Sequence, residues 1–338
     1  MSTSYWQNSS LSLGESYLSD DQFPQMLVDE EGNIPLAYAD KKGIASIGIG
    51  VNLEDVPKYM ALVLQHIGII DSTQTILDQQ ALVADFETVI QHHQPISPPS
   101  VRTTQTPYSQ SEVALQRALD SELQTVTGNS NEIFQLSDID AKAIVKSIVT
   151  GFNIAAVDGS SYLDIGGKQG RLDTILNDNG SPIPRDTREY MALMSLFYNS
   201  EATTGAKALI GPKLRAALAI GNRAEAWFQI RYGSNAGTSK SVGIAARRFF
   251  ESSVFGLYAD PSHAIVQEAL QSYQVLQKNR PSILDYENSW GLNQPTQGQG
   301  DDAVHRACTA KELAGGRNRA NWLGDAQYRG RNARSAKI

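Results

Sequence analysis

Residues 31–50 read Glu31-Gly-Asn-Ile-Pro-Leu-Ala-Tyr38-Ala-Asp40-Lys-Lys-Gly-Ile-Ala-Ser46-Ile-Gly-Ile-Gly50. Just before this run, Phe23, Met26, Leu27 and Glu30 recur at helical spacing, which predicts a short helix over 22–31. Gly32 suits the position just past a helix end, where a left-handed backbone is often needed. Pro35 then blocks a return to helix. Leu36, Tyr38, Ile44, Ile47 and Ile49 alternate as strand residues do, with Asp40-Lys41-Lys42-Gly43 between them as the turn. The reading is a hairpin over 35–50, with Asp40 at its tip and Glu31 at the end of the preceding helix. Two carboxylates and one hydroxyl, Ser46, thus fall in one short segment that folds back on itself.

Each of these residues has an ordinary use. Asp is a common turn former, and a Glu at a helix end is usually solvated. Ile47-Gly48-Ile49-Gly50 is not a dinucleotide fingerprint, because no third glycine opens a following helix. The combination is more specific than its parts. Hydrolysis of a glycosidic bond needs an acid on one face of the sugar and a carboxylate on the other, and one bent segment can supply both.

The spacing resembles that of the phage-type lysozymes, glycoside hydrolase family 24, whose segment runs Glu-Gly, Tyr-x-Asp, Gly, then Thr-Ile-Gly-x-Gly. Here Glu31-Gly32, Tyr38-x-Asp40, Gly43 and Ser46-Ile47-Gly48-Ile49-Gly50 fall at those spacings without a gap. The departures are Ser46 for Thr, which keeps a hydroxyl, Val51-Asn52 where many members carry His, and the doublet Glu30-Glu31. Register selects Glu31, which alone stands at the right distance from Tyr38, Asp40 and Ser46. Residues 243–255, Gly-Ile-Ala-Ala-Arg247-Arg248-Phe-Phe-Glu-Ser-Ser-Val-Phe, are similar to the family's late helix. Between these blocks, Ala192 to Asn199 resembles its central buried helix. Ile210-Gly-Pro-Lys-Leu-Arg and Ala224 to Phe228 resemble the helices leading to the Arg-Arg helix. The resemblance spans roughly residues 22–260 in four ordered blocks.

The resemblance implies an α+β, lysozyme-like fold: a small β-hairpin lobe, a connecting helix and a larger helical lobe, with a cleft between. It implies a peptidoglycan hydrolase (a muramidase) that cleaves the β-1,4 bond between N-acetylmuramic acid and N-acetylglucosamine. Glu31 would be the general acid, with its pKa raised by partial burial. Asp40, with Ser46, would hold the attacking water or stabilise the oxocarbenium-like charge. Inversion is expected if the two carboxylates are far enough apart to admit water. Arg247 or Arg248 would pair with Glu31, and Tyr38 and Asn199 complete the candidate substrate contacts, although Tyr38 also reads as a packing residue of the hairpin. A chitinase-like glycosidase on the same scaffold would carry the same pair. A non-catalytic wall-binding protein would be expected to have lost one of Glu31, Asp40 and the hydroxyl at 46.

Composition sets the frame. The 338 residues are 41% hydrophobic and 19% charged, enough for one large or two modest globular domains. No apolar run reaches the length of a membrane span, and the N-terminus lacks a basic region before an apolar core, so no signal peptide is readable. The expected route is synthesis in the cytoplasm and action in the periplasm or cell wall, either as a phage endolysin released through a holin or as an antibacterial effector delivered by a secretion apparatus. An effector would require a cognate immunity protein. The net charge of −7 supplies no global attraction to anionic peptidoglycan and argues against nucleic acid as a ligand. Cys308, the only cysteine, excludes an internal disulfide or a cysteine zinc site. His66, His92, His93, His263 and His305 show no metal-ligand spacing, and no Gly-x-Ser-x-Gly elbow is present. No metal or cofactor is expected.

Along the chain, residues 1–21 read as an N-terminal extension, 22–285 as the catalytic domain and 286–338 as a flexible basic tail carrying Arg317, Arg319, Arg329, Arg331 and Arg334. Helices are predicted over 53–69 with Pro57 in the first turn, from a Ser111 cap through Leu123, over 138–150, over 186–198 and over 261–278, the pattern stopping after Pro281. Val266, Ala269, Leu270 and Tyr273 mark the apolar face of that last helix. Insertions relative to the phage enzymes are placed near 70–110, with a proline-rich loop at 94–110, and near 125–185. Residues 151–185 read as a long, oxygen-rich surface loop, without the ligand order of an EF-hand.

Overall fold

The computed structural model describes residues 5–6, 22–40, 42–55, 57–94, 96, 107–202, 205, 208–235 and 242–290, with the backbone alone at 30, 31, 235, 242, 243 and 290. The fold is α+β, dominated by helices, with two small antiparallel sheets. The chain divides into two compact units, Glu15–Leu172 and Met1–Gly14 with Asp173–Ile338.

The first unit opens with helix α1 (Gln22–Glu31), which buries Phe23, Met26 and Leu27 as its spacing predicts. Gly32, at φ 79°, takes the left-handed turn and donates its N–H to Val28 O at 2.8 Å. Strands β1 (Ile34–Ala39) and β2 (Ala45–Gly48) pair antiparallel, with Tyr38 opposite Ser46 and Ala39 opposite Ala45. The expected hairpin is present, but its second arm is shorter than 44–50. Gly48 and Gly50, at φ 62° and 71°, turn the chain at once into a third strand, β3 (Val51–Asn52), which returns along β2 with Ser46 opposite Asn52. The apolar alternation through Ile49 hid this turn, because Ile49 is buried in the turn as fully as Ile47 is in the strand.

Four helices follow. α2 (Lys58–His66) is shorter than 53–69, and Pro57 stands at its N-cap rather than inside its first turn. α3 (Ile76–His92) fills a stretch read only as part of an insertion. Its signal is Thr75 and Asp78, which form a reciprocal capping box. The part of the proline-rich loop at 95 and 97–106 lies outside the described residues. α4 (Gln110–Thr127) is capped by Ser109 and not by Ser111: the Ser109 hydroxyl accepts from Glu112 N–H, and the Glu112 carboxylate accepts from Ser109 N–H. α5 (Asp138–Thr150) buries Ala141, Ile144, Val145 and Ile148, as predicted.

Residues 151–185 are not a long loop. β4 (Gly151–Ala155) pairs antiparallel with β5 (Ser161–Gly166), and α6 (Lys168–Asp178) follows, carrying the chain from one unit to the other. The oxygen-rich residues make turns: Asp158 Oδ1 accepts from Ser160 N–H at 2.9 Å in the hairpin turn. No group of three metal-ligating side chains is found among the described residues.

In the second unit, α7 (Arg188–Asn199) is buried along nearly its whole length, with Tyr190, Leu193, Met194 and Phe197 in the core. α10 (Val242–Phe255) packs against it; α9 (Arg223–Arg231) packs on α10 and on α8 (Pro212–Ala219), and a short 3-10 turn (Gly233–Asn235) lies against α9 and α10. α11 (Val266–Trp290) departs from expectation three times, the first being that it starts at 266 and not at 261. It continues past Pro281, and its buried side carries Glu268, Ser272, Val275, Ile283 and Tyr286, while Val266, Leu270 and Tyr273 are exposed. An interior proline costs a helix about 3 kcal/mol or more. Here the turns beyond it are held from outside: Arg231 Nη2 lies 3.0 Å from Glu287 Oε1, the Tyr232 hydroxyl donates to the same oxygen at 2.9 Å, and Tyr286 packs edge-on against Tyr232. Residues 286–290 are therefore helix and not tail, and 291–338 lie outside the described residues.

Of the stretch read as an N-terminal extension, residues 5–6 are described. Trp6 is fully buried in the second unit, donates its indole N–H to Leu218 O at 2.8 Å, and packs against Phe255 and the Arg223 guanidinium.

Candidate functional site

The segment from Glu31 to Asn52 brings the sequence-predicted chemistry onto one short piece of backbone. Glu31 is the last residue of α1, three positions before β1 begins. Its side chain lies outside the described residues. Asp40 follows β1 directly and builds the hairpin turn: its N–H donates to Ile44 O at 2.9 Å, and its O accepts Gly43 N–H at 2.9 Å. Its carboxylate Oδ1 accepts two backbone donors, Lys42 N–H at 2.7 Å and Ile44 N–H at 2.9 Å. Asp40 is half-buried. The turn-former reading of Asp40 is thus correct as far as Oδ1 goes, and Oδ2 takes no hydrogen bond among the described residues.

Ser46 lies opposite Tyr38 in the ladder and is only 3% exposed. Its hydroxyl donates to Ile44 O at 3.3 Å. With its proton so engaged, the hydroxyl has only lone pairs left for any other partner. Tyr38, 8% exposed, is a packing residue of the sheet. Glu54, just past β3, accepts Ala45 N–H at 2.6 Å and also takes the Gln94 amide, so the start of β2 is held by a side chain.

Sequence reasoning missed what holds the other edge of this sheet. β1 is an edge strand, and its outward N–H groups find acceptors on α4. Gln116 Oε1 accepts from Ala37 N–H at 2.8 Å, and Glu112 Oε1 accepts from Ala39 N–H at 2.8 Å. One turn further, Asp120 Oδ1 accepts from Gln116 Nε2 at 2.7 Å and from Phe134 N–H at 2.8 Å. Glu112, Gln116 and Asp120 stand four apart, a polar stripe beside the apolar Leu115, Leu119 and Leu123. That stripe is readable in the sequence, but polar residues on a helix pass for a solvated face unless their burial is known. Asn33 was missed as well. Its amide donates to Asp138 Oδ1 at 2.6 Å while its own oxygen is buried without a partner.

The remaining candidates belong to the second unit. Asn199 caps its own helix, donating to Ser195 O at 3.0 Å. Arg247 and Arg248 both engage Glu251, which is 1% exposed: Arg247 Nε lies 3.1 Å from Oε1, and Arg248 pairs with Oε2. The Ser195 hydroxyl completes the group, donating to Glu251 Oε1 at 2.7 Å. The Arg-Arg motif therefore has a buried partner within its own helix, four and three residues on. A Ser-His-Asp cluster also occurs at Asp260, Ser262 and His263. Asp260 and Ser262 both meet the same ring nitrogen, His263 Nδ1, at 2.9 Å. A nucleophile must face the nitrogen opposite the one its carboxylate orients, so this cluster is a turn. Its hydrogen bonds from Ser262 and His263 hold the Asp260 carboxyl well below the usual carboxylate range.

No protein-family model, curated protein or solved structure matches this chain. No helix among the described residues is long and apolar enough to cross a membrane.

Proposed function

We propose that the chain is a glycoside hydrolase of lysozyme-like fold that cleaves the β-1,4 linkage of peptidoglycan. The observation that supports this reading best is the continuity of the segment: a helix ending at Glu31, a left-handed Gly32, and a two-stranded hairpin with Asp40 at its turn. A protonated acid and an ionised carboxylate on one bent segment is the arrangement that glycoside hydrolysis needs. Glu31 protonates the leaving oxygen. Asp40 is anchored through Oδ1 and keeps Oδ2 for the attacking water or for the positive charge of the transition state. Ser46, whose hydroxyl donates to Ile44 O, offers its lone pairs toward that water. Arg247 and Arg248 support this reading less than their spacing suggested, because both already serve Glu251.

The test is digestion of purified peptidoglycan by the wild type and by Glu31→Gln, with the products identified by mass spectrometry. Fragments with reducing N-acetylmuramic acid ends from the wild type, and none from the variant, are expected. Sacculi left intact by both proteins would overturn the assignment, and chitin oligosaccharides would then be the next substrate to assay.

A further inference from the structure

Glu112 is fully buried, and its carboxylate does two jobs. Oε2 accepts Ser109 N–H at 2.7 Å, which is the ordinary return bond of a capping box. Oε1 accepts Ala39 N–H at 2.8 Å, which the helix does not require. Ala39 is the residue immediately before Asp40. Because N–H groups alternate along a strand, Ala39 points outward to α4 while Asp40 points inward and donates to Ile44 O. The backbone that carries Asp40 is gripped from both sides.

The grip is matched in dimension. Residues four apart on a helix are separated by about 6 Å along the axis, and residues two apart on a strand by roughly 6.6 Å. Glu112 and Gln116 therefore meet Ala39 and Ala37 in step, and they replace the missing neighbour strand with two side-chain acceptors. Of the two, only Glu112 touches the residue adjoining Asp40.

We propose that Glu112 is a positioning residue, which fixes the Asp40 carboxylate through the Ala39 N–H. This rests on the reading of Asp40 as the ionised carboxylate of glycan hydrolysis. Glu112→Gln in the full chain keeps one acceptor oxygen and turns the other into a donor, so it can serve Ser109 or Ala39 but not both. The amide resonances of Lys42 and Ile44, the two donors to Asp40 Oδ1, are expected to shift in its NMR spectrum. On peptidoglycan, kcat is expected to fall roughly 10- to 100-fold, as for a misplaced catalytic group, with KM within about twofold of wild type. Leu119→Ala, a core deletion on the same helix compared at matched loss of Tm, should leave those amides in place and the turnover near wild type.

Unmoved Lys42 and Ile44 amides in a folded Glu112→Gln overturn the proposal. So does a turnover no lower than that of Leu119→Ala. If the amides shift but wild-type protein leaves peptidoglycan intact, the hydrolase reading fails while the control of the Asp40 turn by Glu112 stands. If Glu112→Gln does not fold, hydrogen exchange on the wild type decides. The Ala39 amide should then exchange as slowly as Ile47, and exchange at the rate of a free edge strand would sink the idea.

Discussion

At the scale of single residues, the proposed function asks one side chain, Asp40, to hold a turn and to carry chemistry. Oδ1 closes the turn through two backbone donors, and Oδ2 has no such task. Asp40→Asn separates the uses. The amide oxygen can take over both turn bonds, while the charge is lost and the second acceptor becomes a donor. The expected outcome is a Tm close to wild type with a drop in peptidoglycan turnover on the order of 100-fold or more. Ser46→Ala should cost less activity, because the hydroxyl is buried and its proton is engaged by Ile44 O. Steady-state kinetics on both variants checks the ranking, and equal losses would show that Ser46 does more than the geometry suggests.

At the scale of elements, the turn from β2 to β3 makes the next prediction. Gly48 combines a left-handed backbone with a crowded position: an added Cβ would stand 3.1 Å from Leu136 Cδ1 and 3.4 Å from Ala141 Cβ. Gly68 has a similar φ of +77° and nothing within 4 Å. A side chain in the left-handed region costs about 1–2 kcal/mol. Gly68→Ala should lose about that amount in urea unfolding and Gly48→Ala more, so equal losses would mean that Leu136 yields freely. The same turn marks the limit of what could be read beforehand. Helix α1, the first hairpin, α5 and α7 were legible because their apolar spacing matches the faces they bury. β3 was not, because a buried Ile49 continues the strand pattern through a turn. α3 was passed over although Thr75 and Asp78 announce it. The exposed Val266, Leu270 and Tyr273 misplaced the face of α11, because its buried side carries polar residues, among them Ser272 and Glu268, and Glu268 finds Tyr5 and Arg223 only in the folded unit. Of the candidate site, the segment itself was legible. Its support by Glu112 and Gln116 was not, since those bonds join residues 73 and 79 apart in sequence, and that by Glu54 was not, since it depends on the unforeseen turn into β3.

At the scale of the molecule, the second unit is held by buried charge as well as by apolar packing, and its N-terminal residues belong to that network. Arg223 is fully buried, with Nη1 2.7 Å from Glu189 and Nε 3.5 Å from Glu268. The Tyr5 hydroxyl donates to Glu268 at 2.7 Å and accepts from Arg223 Nε at 3.1 Å. Burial, helped by the bond to Glu268 and opposed by the Arg223 charge, pushes the Tyr5 hydroxyl up from 10.0 to about 12. The unfolded chain therefore loses this proton first. Between pH 10 and about 12 the folded state holds one more proton than the unfolded state, so stability falls as pH rises through that window and is intact below it. Tyr232, buried beside Glu287, is shifted in the same direction and adds to the fall. Thermal melting at pH 8 and pH 11 should show a clear loss of Tm for wild type at the higher pH. Tyr5→Phe should start lower, because it loses both hydrogen bonds, but should lose less between the two pH values. Tyr232 and Tyr162, both pushed up by burial, would contribute to what remains. If wild type and Tyr5→Phe fall in parallel, the Tyr5 proton is not held by the fold.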